Sequence, residues 1–82
     1  MNKYFAVANI QADEVNKYLQ SIDITHGPTL SMQFAWLFQN TLNDIDFLAL
    51  KLKYNILVPT QAQLRAVESL YKIHLNLDEY PA

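Results

Sequence analysis

The stretch Pro28-Thr29-Leu30-Ser31-Met32-Gln33-Phe34-Ala35-Trp36-Leu37-Phe38-Gln39-Asn40 decides how this chain is read. Taken as a helix, it opens with Pro28 at the first helical position, where a missing N–H has no intrahelical partner to lose. Leu30, Phe34, Leu37 and Phe38 then share one side. At about 100° per residue, Met32 and Trp36 point the other way, near Gln33, Gln39 and Asn40. A helix with two apolar sides belongs at the centre of a bundle. The alternative is that Met32 and Trp36 form an exposed patch.

Outward from this block, the only glycine, Gly27, precedes Pro28 and marks the clearest break. Further breaks fall at Pro59 and Pro81. In the first block Val15, Tyr18, Leu19 and Ile22 stand at helical spacing, and Asp13 and Glu14 place acid near the start, where a helix dipole favours it. The ladder Tyr4, Ala8, Ala12, Val15, Leu19, Ile22 lets that helix begin near Asn2, with a short strand over residues 3–9 as the competitor.

Asn43-Asp44 reads as a helix restart, with Asp46 in the first turn and Lys51 and Lys53 near the last. Its stripe is Ile45, Leu48, Ala49, Leu52 and Ile56. The alternation from Leu50 to Ile56 also suits a half-buried strand. Helix formers dominate, so helix is expected. A strand here would pair with residues 3–9.

The last block opens with Thr60-Gln61-Ala62-Gln63, a capping-box pattern. Leu64, Val67, Leu70, Tyr71, His74 and Leu75 form its apolar face, and Glu68 and Lys72 stand at i,i+4. The helix is expected to end near Asn76 or Leu77. The expected fold is an all-α bundle of three or four helices forming one domain over residues 1–82. The alternative is α+β, with a two-stranded sheet from residues 3–9 and 48–57.

Composition narrows the function classes. The 82 residues are 51% apolar and 12% aromatic, with 17% charged against the roughly 25% usual in globular proteins. So short a chain has difficulty hiding that much apolar surface, and part of it is expected to meet a partner. There is no cysteine, which removes disulfides and thiolate chemistry and favours the cytoplasm. Residues 1–10 lack the long apolar region of a signal peptide and read as mature structure. Residues 24–43 carry no charged side chain, but Pro28, Gln33, Gln39 and Asn40 interrupt them, so no membrane insertion is expected.

With a net charge of −2 and no basic cluster beyond Lys51 and Lys53, nucleic-acid binding is not expected. A helix-turn-helix reading of residues 60–76 has only Arg65 and Lys72 as positive groups on the exposed face, offset by Glu68. One glycine is too few for a phosphate-cradling loop. His26 falls in a turn and reads as solvated, while His74 reads as a core histidine bonded to a carbonyl or a tyrosine. Asp44-x-Asp46 begins like a calcium loop but lacks its glycine and terminal glutamate. No catalytic residue, metal site or cofactor is expected.

What remains is a protein-interaction surface, because aromatic residues and methionine are enriched in interface cores. The candidate anchors are Met32 and Trp36, followed by Tyr18, Phe38 and Tyr54. On this reading Trp36→Ala weakens partner binding and leaves helix content intact. Tyr80 is expected to be exposed.

No segment carries a family motif. In length and character the chain resembles the small accessory proteins of tailed phages, and it is similar in length to the cytoplasmic lysis-inhibition antiholins of T4-like phages. That resemblance implies a regulator or inhibitor that binds one host or phage protein stoichiometrically, for an antiholin the cytoplasmic part of a holin. It transfers no functional residue. The other expectations are a self-associating structural or assembly subunit, a homo-oligomer, and a helix-turn-helix DNA-binding protein.

Overall fold

The computed structural model describes residues 3–77. In chain order the elements are β1 (Tyr4–Ala8), α1 (Asn9–Ser21), β2 (Leu30–Ser31), β3 (Ala35–Gln39), α2 (Asp44–Lys53), β4 (Ile56–Leu57) and α3 (Gln61–Tyr71). The fold is therefore α+β, which corrects the expectation of an all-α bundle. Four strands form one antiparallel sheet in the order β2-β3-β1-β4.

Two stretches account for the correction. Residues 4–8 form a central strand, so the first helix starts at Asn9 and not near Asn2. The expected helix after Pro28 is a hairpin of β2 and β3. Trp36 and Phe38 alternate with Ala35 and Leu37 along β3, and aromatic side chains suit a pleated, packed surface. Phe5 lies opposite Phe38, Ala6 opposite Leu37 and Val7 opposite Trp36.

The alternative pairing of residues 3–9 with 48–57 is met in part. Ile56 and Leu57 pair with Val7 and Ala6, but residues 44–53 are helical as first expected. The sheet has four strands and not the two of that alternative.

Strand alternation divides the core in two. On one face Phe5, Val7 and Phe38 pack with Val15 and Leu19 of α1, Leu42, and Leu50 of α2. On the other, Tyr4, Ala6 and Leu37 pack with Leu64 of α3 and with Leu75 and Leu77 beyond it. Both faces of the sheet are thus covered.

Local chemistry fixes the helix ends. At α2 the Asp46 N–H donates to Asn43 Oδ1 at 2.8 Å, and Asp44 and Asp46 occupy the first turn with Lys51 and Lys53 in the last. At α3 the capping box is complete: the Gln63 N–H donates to Thr60 Oγ1 at 3.1 Å, and the Thr60 N–H donates to Gln63 Oε1 at 2.9 Å. Thr60→Ala is expected to cost about 1 kcal/mol, measured as a lower denaturant midpoint at unchanged slope.

α3 ends at Tyr71, short of the expected 76–77, because Lys72 takes a left-handed conformation at φ 54°. The chain then returns to the sheet. The Leu75 N–H donates to Glu68 Oε2 at 2.8 Å, and the Asn76 N–H donates to Tyr4 Oη at 3.0 Å. Glu68 lies 3.9 Å from Arg65 and from His74, so it serves this return and not the expected pair with Lys72. His74 is exposed on the returning segment, which corrects its expected place in the core. Tyr80 and Pro81 lie outside the described residues.

Candidate functional site

The five residues singled out as anchors do not form one surface. Phe38 is completely buried, stacked on Phe5 at 5.2 Å between ring centroids and 8° between planes. Trp36 is half-buried on the same sheet face, with its ring 6.3 Å from Phe38. Tyr18 and Tyr54 are half-buried against the same half of the core and meet edge to face at 5.9 Å. Met32 packs against the opposite half of the core. The geometry that was to unite Met32 and Trp36, one side of a helix, is absent because residues 35–39 are a strand.

The exposed apolar surface lies elsewhere. Phe34, expected on the inner face of a helix, is 78% exposed at the tip of the β2–β3 hairpin. The tip is held firmly from both sides of the sheet. Asn9 donates its N–H to Phe34 O at 3.1 Å and its side-chain amide to Gln33 O at 2.7 Å. Across the loop, the Met32 N–H donates to Ala35 O at 2.8 Å. The hydroxyl of Tyr71, on the last turn of α3, accepts the Gln33 N–H at 3.4 Å.

Beside Phe34 lies an apolar groove of about 280 Å³, bounded also by Ala6, Ala8, Ala35 and Leu57. It exists because three alanines occupy neighbouring positions on adjacent strands. Ala8 pairs with Ala35, and Ala6 pairs with Leu57. A single methyl at each position leaves space that larger side chains would fill. Phe34 and Leu57, the latter 59% exposed, form the walls, and Asn55 adds a polar group at the rim. The volume approaches the lower end of small-ligand pockets, roughly 300 Å³.

No protein family, curated protein or solved structure matches this chain.

Among the described residues no group of three or more His, Asp or Glu converges as a metal site would require. His26 is exposed in its turn, with Nδ1 2.8 Å from Gly27 O and Nε2 3.5 Å from Thr41 Oγ1. No helix among the described residues is long and apolar enough to cross a membrane.

Sequence reasoning missed the groove because two of its signals are weak ones. Alanines at 6, 8 and 35 read as helix formers, and Phe34 reads as core. A second miss concerns α2, whose expected stripe was Ile45, Leu48, Ala49, Leu52 and Ile56. The structure turns the first four outward, places Ile56 half-buried in β4, and packs Phe47, Leu50 and Tyr54 inward.

Proposed function

We propose that this protein is a non-enzymatic interaction module, a small regulator or inhibitor that acts by binding one protein partner stoichiometrically. The observation that carries the reading is Phe34: a large aromatic side chain, 78% exposed, standing beside an apolar groove on a loop held by α1 and α3. Aromatic side chains beside pockets are typical binding hot spots. A pre-fixed loop also loses little freedom on association. The occupant that fits is an apolar side chain of the partner, inserted over Ala6, Ala8 and Ala35. A cytoplasmic setting and a phage origin belong to the same proposal. The cysteine-free composition supports the first, and the resemblance in size and character supports the second.

The test is capture from a native-host lysate, membranes included, with tagged wild type beside Phe34→Ala. Because Phe34 is exposed, the variant is expected to fold with stability within about 0.5 kcal/mol of wild type. Its affinity for the captured partner is expected to fall about tenfold or more. A partner retained equally by both proteins removes the groove from the account. A holin among the captured proteins would favour lysis control, and a soluble enzyme would favour direct inhibition.

A further inference from the structure

The outer face of α2 is a second apolar surface, and none of its residues lines the groove. Ile45, Leu48 and Leu52 are 81%, 57% and 81% exposed, with Ala49 also exposed among them. At positions i, i+3, i+4 and i+7 they form one continuous stripe, opposite the face that Phe47 and Leu50 present to the core. Exposed apolar residues scattered singly are ordinary. A stripe that follows a helix over its whole length is not scattered.

The charges on either side of this stripe indicate what covers it. Asp44 and Lys51 are seven residues apart and lie on one flank, while Asp46 and Lys53, also seven apart, lie on the other. Each flank therefore has an acid near the N-terminus and a base near the C-terminus. The dipole of α2 accounts for this polarity within one chain, but it gives no reason for Ile45, Leu48 and Leu52 to face water. Among the described residues neither Asp44 nor Asp46 makes an ion pair. Lys51 lies 5.7 Å from the centre of the Phe47 ring and Lys53 lies 5.0 Å from that of Tyr18, so both positive groups stay at the flanks.

We infer that the occupant of this face is the same face of a second copy, packed antiparallel about a two-fold axis near Leu48 and Ala49. In that arrangement Ile45 of one chain meets Leu52 of the other. On one flank Asp44 faces the partner's Lys51, and on the other Asp46 faces the partner's Lys53. A parallel arrangement would set acid against acid and base against base. The surface is self-complementary in both apolar pattern and charge, as an isologous dimer requires. α2 is only about 15 Å long, and the contact falls below the roughly 1,200 Å² of standard interfaces. The dimer is therefore weak and concentration-dependent.

Sedimentation equilibrium from about 10 µM to 1 mM tests this, with helix content checked by circular dichroism. For the wild type, the weight-average mass is expected to rise from the chain mass of 9.5 kDa toward twice that value. Leu48→Asp is expected to weaken association at least tenfold. The doubly substituted chains Asp44→Lys/Asp46→Lys and Lys51→Glu/Lys53→Glu are expected to be monomeric alone and to form a heterodimer when mixed. A wild type that stays monomeric up to 1 mM overturns the inference. So does a dimer that persists in Leu48→Asp, or a charge-swapped pair that fails to associate on mixing.

Discussion

Phe38→Ala is expected to lower stability by about 3–5 kcal/mol. The ring is fully buried in β3, stacked on Phe5 of the adjacent strand, with Trp36 beside it. Removing it exposes no new surface that could collapse easily. Phe5 sits in the central strand, held by β3 on one side and β4 on the other, so the sheet resists closing around the void. At roughly 0.05–0.15 kcal/mol per residue, an 82-residue chain has about 4–12 kcal/mol in all. The substitution would consume a large share of it. Thermal denaturation is expected to show a midpoint lower by about 12 °C or more. A loss below about 1 kcal/mol would mean that Phe38 does not occupy this position.

The second large effect is expected at Leu64, the one fully buried residue of α3. Leu64→Ala is expected to cost about 2–5 kcal/mol, and its consequences should be uneven across the fold. α3 docks on its sheet face through Leu64 and the half-buried Val67, and the segment after it is held by Glu68 and Tyr4. With Leu64 truncated, α3 and residues 73–77 are expected to open together while β1 and β3 stay paired on their other face. Hydrogen exchange reads this directly: amides of 61–77 should lose protection before those of 4–8 and 35–39. Equal loss in both regions would show that the two half-cores unfold as one unit.

The sequence made the helices of the second half legible because their ends carry explicit chemistry. Asn43, and Thr60 with Gln63, satisfy backbone donors that a helix start leaves open, and Asp44 and Asp46 favour the dipole of the first turn. The strands carried no comparable signal. A period of two is visible only when one sheet face is wet, and here both faces are covered. Tyr4 to Ala8 and Phe34 to Phe38 are therefore apolar at every position, and a run apolar throughout matches a helical ladder as well as a strand. The ladder from Tyr4 through Ala12 to Ile22 crosses a strand and a helix for this reason.

The site was less legible than the fold. α2 has two apolar stripes, Ile45-Leu48-Leu52 and Phe47-Leu50-Tyr54, and spacing alone does not say which one faces the core. The larger aromatic pair settled it, because Phe47 packs 5.8 Å from Phe5 and Tyr54 meets Tyr18. Trp36, expected as an anchor, is half-buried and packs against the sheet face that carries Phe5 and Phe38. Composition pointed to surplus apolar surface, and the structure exposes large apolar side chains at Ile10, Phe34, Leu57, Leu70 and the outer face of α2.

The groove exists only if residues 30–39 form a hairpin, since a helix there would abolish it and turn Phe34 inward. Proton NMR contacts in a labelled sample test this most directly. Cross-strand backbone contacts are expected at Phe5–Phe38 and Ala6–Leu37 between β1 and β3, and at Leu30–Leu37 within the hairpin. A continuous series of contacts between residues i and i+3 from Leu30 to Gln39, with no cross-strand contacts, would contradict it.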